Sequence, residues 1–237
     1  MAFDCVSRTH PGLKRKVNED SILVRSDRGL WAVADGMGGH EAGDVASAKV
    51  VETLAMVPPN ARLESFVADS IAALRMANSE LINLAHSVQR PRTIGTTVVG
   101  LAVSEARFGC FWAGDSRAYR IREGEIAQLT RDHSLVQDLV DAGMLDPGEA
   151  EDHPDSNVVT RAVGASATLD VETSTGDAQP GDYFLLASDG LTRVVSDSEI
   201  YSALTTAPIA AAAEKLIDTV LSRGAPDNVS LIIVRLT

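Results

Sequence analysis

Residues 30–36, Leu30-Trp31-Ala32-Val33-Ala34-Asp35-Gly36, stay apolar for five positions and then stop at a carboxylate. The length and the aromatic and β-branched content suit a buried strand, and the Asp-Gly pair ends it in a turn. The same order returns twice: Phe108–Gly114 runs into Asp115, and Tyr183–Ser188 runs into Asp189-Gly190. A fourth instance is reversed, with Asp227-Asn228 just ahead of Val229–Val234. Strand ends at one edge of packed sheets are fixed in space, so carboxylates placed there are preorganised at little entropic cost. A turn alone accounts for any single Asp-Gly pair. Four carboxylates aimed into one place repel one another unless a multivalent cation or Arg/Lys neutralises them, and no comparable cluster of basic residues surrounds these runs. Hard oxygen ligands of this kind suit Mg²⁺ or Mn²⁺.

Other short apolar runs read as strands at Ser21–Arg25, Thr96–Val103, Arg107–Ala113, Ala118–Arg122, Asp182–Ala187 and Val229–Leu236. Several are apolar on both faces, as in sheets covered on each side. Arg122-Glu123-Gly124-Glu125 predicts a tight hairpin between Ala118–Arg122 and Ile126–Thr130. Helical segments are predicted at about 42–56 and 62–87, separated by Pro58-Pro59. Val67, Ile71, Leu74, Leu81 and Ala85 form an apolar stripe in the second, with Glu64, Asp69, Arg75 and Glu80 turned to water. Ser196 with Glu199 three residues on announces a helix at about 196–205, and another runs about 208–223 to Gly224. Hairpin-joined strands interrupted by helix pairs predict an α+β fold with antiparallel sheets under helix layers. No linker parts two cores, so a single domain over 1–237 is expected. His133–Asn157, where leucines are spread among seven acidic residues, reads as short surface helices forming a lid or recognition flap.

With 237 residues, 45% of them apolar, the chain can bury a substantial core. Its 21 basic and 33 acidic residues leave a net charge of −12, which argues against nucleic acid or an anionic membrane as a partner. Cys5 and Cys110 are too few for a disulfide scaffold or a four-cysteine zinc site, and Cys110 in an apolar run reads as packing. No run reaches the roughly 18 apolar residues of a spanning helix, and the opening Met1-Ala2-Phe3-Asp4-Cys5 lacks the order of an export signal. A cytoplasmic monomer is expected. Gly36-Met37-Gly38-Gly39-His40-Glu41-Ala42-Gly43 lets backbone approach a ligand closely, but it lacks the closing Gly-Lys-Ser/Thr of a nucleotide-binding P-loop.

In their order, Arg15-Lys16-Val17-Asn18-Glu19-Asp20, Ala34-Asp35-Gly36-Met37-Gly38-Gly39-His40, Gly95-Thr96-Thr97, Gly114-Asp115-Ser116-Arg117, Thr130-Arg131-Asp132-His133-Ser134, Ser188-Asp189-Gly190-Leu191 and Pro226-Asp227-Asn228 span about residues 7–235. The chain thereby resembles the PP2C-type (PPM) metal-dependent serine/threonine phosphatases, the compact bacterial ones in particular. The resemblance implies a four-layer α/β/β/α sandwich with a centre of two Mn²⁺ or Mg²⁺ ions. Asp35 would bridge the ions, the Gly36 carbonyl would complete one, and Asp189 and Asp227 would bind the other. Asp115 with Asp189 would form a third, weaker metal site. Glu19 and Asp20 would hold metal-bound waters, and Arg15 would grip the substrate phosphate.

The implied reaction is direct attack on phosphoserine or phosphothreonine by water bridging two metal ions, with no phosphoenzyme. Eukaryotic members carry a histidine just after the metal-binding Asp-Gly, whereas this chain has Met37 there and offers His40 three residues later. The general acid is therefore either His40 or a metal-bound water. His133 reads as a loop anchor. Phosphoproteins and a cognate bacterial Ser/Thr kinase are the implied partners, and the wording around Asp35 also looks like phosphatases that accompany type VI secretion systems. Two alternatives stand beside this: a catalytically silent binding module of the same fold, and a hydrolase of small phosphate esters.

Overall fold

The computed structural model describes residues 2–37, 42–87 and 94–237. Two antiparallel sheets lie face to face. One contains β1 (Phe3–His10), β7 (Arg117–Arg122), β8 (Glu125–Gln128), β10 (Tyr183–Ala187) and β11 (Val229–Leu236), in the order β1-β11-β10-β7-β8. The other contains β2 (Asp20–Arg25), β3 (Leu30–Met37), β5 (Val98–Ser104), β6 (Arg107–Ala113) and β9 (Glu172–Asp177), in the order β2-β3-β5-β6-β9, with β4 (Gly95–Thr96) paired beside β3. Trp31, Val33, Leu101, Phe108, Phe184 and Ile232 fill the space between the sheets. Full burial of each such side chain contributes about 1.5–3 kcal/mol.

Helices α1 (Gly43–Ala55) and α2 (Leu63–Ser87) cover the β2/β3/β5/β6 sheet through Val50, Leu54, Phe66 and Leu74. On the far side, α4 (Asp189–Thr192), α5 (Asp197–Thr206) and α6 (Ile209–Ser222) cover the other sheet through Leu191, Ile200, Leu204, Leu216 and Val220. Three apolar interfaces thus separate four layers, as the sequence implied. The capping box at Ser196 and Glu199 is formed from both sides. The hairpin turns at Glu123 and Gly124, both at positive φ, with Arg122 opposite Glu125. Its second strand covers Glu125–Gln128 rather than 126–130, because the Ala118 N–H donates to the Thr130 hydroxyl instead of to a backbone carbonyl.

Three expectations need correction. The strand predicted over Thr96–Val103 is split into β4 and β5, because at Thr97 the ladder is only half made: its N–H reaches the Asp35 carbonyl, at 2.8 Å, but the Asp35 N–H donates to the Thr97 hydroxyl, at 3.2 Å, in place of a backbone carbonyl. Strands β1 and β9 have no counterpart in the sequence reading. Both are edge strands, FDCVSRTH and ETSTGD; the first has only Phe3, Cys5 and Val6 as apolar contacts with the core and the second has none, so each is held largely by its neighbour. Asp189-Gly190 opens the short helix α4 instead of a simple turn. The predicted flap carries α3 (Leu135–Asp141) and a 3₁₀ turn at Pro147–Glu149. It is tied at its base by a bridge between Ser134 and Val159.

Packing is tightest where α4 meets β11. A Cβ on Gly190 would lie 1.8 Å from the backbone oxygen of Asn228. Gly190→Ala must push two backbones apart and is expected to cost about 3 kcal/mol or more. Urea denaturation checks this, and a midpoint equal to the wild type would refute the contact.

Candidate active site

The ends of β3, β6, β10 and β11 converge at one edge of the sandwich. Asp35 lies within β3, directly opposite Asp20 of β2, and the strand does not end there in the expected turn but continues through Gly36 and Met37, which pair with Thr96 and Gly95 of β4. The Asp35 carbonyl accepts hydrogen bonds from the Thr97 N–H, at 2.8 Å, and from the Thr96 hydroxyl, at 2.9 Å. Asp115 follows β6, Asp189 is the first residue of α4, and Asp227 immediately precedes the Asn228 that leads into β11. Asn228 organises the remaining segment: its Oδ1 accepts from the Glu19 N–H at 2.8 Å, and its Nδ2 donates to the carbonyls of Pro11 and Val17. The loop so held presents Arg15, whose Nη2 donates to Asp227 Oδ2 at 2.6 Å.

Arg15, Glu19, Asp35, Gly36, Asp115, Asp189 and Asp227 all line one cleft of about 340 Å³. Asp20 is buried behind Asp35. Every predicted site residue among those described is thus brought to one place, and His40 lies outside the described residues. Met37, Thr97, Asn157 and Val159 complete the walls. The two flap-side residues were not anticipated, since Asn157 and Val159 reach the cleft only because the flap folds back.

The electrostatics show what this gathering costs. Burial, then the charges of Asp189, Asp20 and Asp115, push the Asp35 carboxyl well above the ordinary range. The direct contact of the Asp35 and Asp189 carboxyls pushes Asp35 further up and pulls Asp189 back down, while burial raises both. Burial raises Asp20 to about 7, against hydrogen bonds from Ser230 and Ser188 that pull it down. Burial and Asp189 raise Asp115 to about 6. The sequence reading found no cluster of basic residues around these acids beyond the Arg15 that the resemblance implied, and the structure adds a second arginine. Arg15 pairs with Asp227, while Arg193 pairs with both Asp115, at 3.2 Å, and Asp189, at 2.9 Å. Arg193 was legible in principle, because a residue four positions after the acid that opens a helical turn lies over that acid.

A divalent cation fits this donor set. The acids offer hard oxygens, and Asp20 Oδ1 is buried with no hydrogen-bond partner among the described residues. The described acidic, His and Cys side chains do not already draw together in threes around one point. His133 is an anchor, as expected: its Nδ1 accepts from the Gly114 N–H at 3.1 Å, its ring stacks on Trp112, and burial lowers its pKa. Cys110 is buried in the core between the sheets.

A family model described as protein phosphatase 2C matches residues 13–224. The chain belongs to the protein phosphatase 2C family. The serine/threonine protein phosphatase PstP of Mycobacterium tuberculosis is 37% identical to this protein phosphatase 2C chain over 227 residues. That match covers 96% of this chain and 44% of PstP, so the chain spans less than half of that relative's length. Protein phosphatase PhpP of Streptococcus pneumoniae is 35% identical, over 95% of this chain and 94% of its own. Among solved structures, PppA, described as a key regulatory component of T6SS in Pseudomonas aeruginosa, is 40% identical with a TM-score of 0.91, covering 100% and 99% of the two chains. The catalytic domain of PstP in complex with two manganese ions is 36% identical with a TM-score of 0.89, covering 98% and 97%. The protein phosphatase 2C fold and its bacterial branch are thereby established for this chain.

Proposed function

We propose that this chain removes phosphate from phosphoserine and phosphothreonine in proteins, using Mn²⁺ or Mg²⁺. The observation that carries the reading is the meeting of Asp35, Asp115, Asp189 and Asp227 in one cleft with Arg15 at its rim. In this reading Asp35, the Gly36 carbonyl, Asp189 and Asp227 would hold two ions, and Glu19 and Asp20 would orient water around them. Two such ions supply Lewis-acid polarisation and lower the pKa of water. Arg15, exposed and already aligned by Asp227, turns its planar guanidinium to two phosphate oxygens and steadies the charge of the phosphoryl group in transfer. His40 remains a candidate to protonate the departing serine or threonine oxygen, beside water. The whole chain acts as one domain, with the segment 133–157 as a flap that selects among phosphoproteins.

The partners proposed are phosphoproteins of a bacterial Ser/Thr kinase circuit, with a T6SS link suggested by the likeness to PppA. Among the described residues no helix is long and apolar enough to cross a membrane, and a cytoplasmic monomer fits this reading. The direct test is hydrolysis of a phosphothreonine peptide with Mn²⁺, with Mg²⁺ and with EDTA. Turnover that needs metal supports the reading, and absence of turnover in folded, metal-loaded protein rejects it. In the same assay Arg15→Ala is expected to lower kcat/KM by about 10–100-fold, with Arg15→Lys in between because an ammonium cannot grip two oxygens at once. Equal kcat/KM for the wild type and Arg15→Ala would remove Arg15 from phosphate binding.

A further inference from the structure

Arg193 follows the single turn of α4, and its backbone N–H donates to the Asp189 carbonyl at 3.0 Å, which returns its side chain over that acid. Its Nε lies 2.9 Å from Asp189 Oδ2, and its Nη2 lies 3.2 Å from Asp115 Oδ2. The same Nη2 donates to the Ser156 carbonyl at 2.9 Å, and Nη1 donates to the Asn157 side-chain oxygen. One planar cation therefore joins two acids of the cleft to the C-terminal end of the flap. The Asp115 side chain is only 6% exposed, and a carboxylate so deep requires a cation within reach.

Asp115 and Asp189 form the wall between the cleft and a second cavity of about 240 Å³ beneath the flap. Arg193 lies on the flap side of that wall. Three further acids line the second cavity: Asp132 is held by Arg117 through three hydrogen bonds, and among the described residues the ion pairs of Arg193 are with Asp115 and Asp189, with none to Glu151 or Asp152. Arg193 is thus left to Asp115 and Asp189, the pair to which the family resemblance assigns a third, weaker ion.

We propose that Arg193 is a tethered cation that takes the place of a third metal ion between Asp115 and Asp189 and fastens the flap to the cleft. This rests on the two-ion reading above. The charge balance favours it. Asp20 and the five acids that line the cleft are matched by two dications with Arg15 and Arg193, and a further dication beside a guanidinium would meet its repulsion in a partly desolvated place. A guanidinium is also always charged and always present, so the flap is held at any metal concentration. A weakly bound ion would instead make the flap's position follow the metal supply. Arg193 is a positioning residue in this scheme, acting on the flap and on the ion count.

The test counts ions and watches the flap in the intact 237-residue chain. Native mass spectrometry and electron paramagnetic resonance titration with Mn²⁺ are expected to find two ions on the wild type and no third as Mn²⁺ is raised into the millimolar range. Arg193→Ala is expected to bind a third, weaker ion. Its amide hydrogen exchange across residues 146–157 should be about tenfold faster at low Mn²⁺ and slow again as that ion binds. Arg193→Lys, which keeps the charge but cannot fork to four partners, should keep two ions and still loosen the flap. A third ion on the wild type, or an unchanged count in folded Arg193→Ala, overturns the proposal while leaving the two-ion reading standing. A wild type that binds no ion overturns both. The wild-type count needs no variant, so the proposal stays exposed even if Arg193→Ala misfolds.

Discussion

Asp35→Asn is expected to lower phosphopeptide turnover by about a thousandfold or more and, in EDTA, to raise the melting temperature. Both effects have one cause. Asp35 sits against Asp20 and Asp189 and feels Asp115, so its ionised form is disfavoured by burial and by three neighbouring charges. That same concentration of charge is what makes the place attractive to a cation. Asparagine keeps the size and can still hydrogen-bond to Asp189, but it removes the charge, so the fold gains what the ion site loses. Steady-state kinetics with saturating Mn²⁺ and a thermal melt in EDTA check the two halves separately. Wild-type turnover would remove Asp35 from the chemistry. A lowered melting temperature would mean that its carboxylate is structurally required.

The second large effect concerns pH. Asp20 near 7, Asp115 near 6, and the raised values of Asp35 and Asp189 all exceed the roughly 3.9 of an aspartate in an unfolded chain. A group whose pKa rises on folding stabilises the fold below its unfolded pKa, and that stability is lost as the pH climbs through the folded pKa. Chelated protein is therefore expected to weaken between about pH 4 and about pH 7, with Asp20 alone contributing on the order of 4 kcal/mol. His133, held neutral by burial, pulls the other way below about pH 6.5. Asp20→Asn isolates the carboxylate part and should flatten the slope. Urea midpoints in EDTA across this range measure it. Midpoints that rise with pH in both proteins would show that the acids are neutralised within the fold itself. Metal-loaded protein should lose the slope, because a bound dication makes the ionised carboxylates the favoured form.

The sequence was legible where one element carried its own signal. The strands ending at Asp35, Asp115 and Asp189 announce themselves by apolar runs, α2 by its stripe, and α5 by Ser196 and Glu199. It was not legible where a partner distant in the chain supplies the signal. Strand β1, whose apolar residues are confined to Phe3, Cys5 and Val6, forms because β11, more than 200 residues later, offers an edge, with Phe3 opposite Leu236 and His10 opposite Val229. Strand β9 has no apolar side chain and is held by β6. Arg193 reads in isolation as a solvated cation. Its meeting with Asp115, 78 residues away, and with Asn157 at the end of the flap is a product of tertiary structure.

The pairing of β1 with β11 brings Ala2 and Thr237 together, each N–H donating to the other's carbonyl at 3.1 and 3.0 Å. The opposite ends of those strands, at His10 and Val229, run toward Gly12 and Asp227 beside the cleft. Eight residues of antiparallel strand span about 27 Å, so the chain ends lie remote from the chemistry. A tether or reporter fused at either end would hang clear of incoming substrate. A circular permutant joining Thr237 to Ala2 through a few glycines could place new termini in a surface loop without stretching any strand.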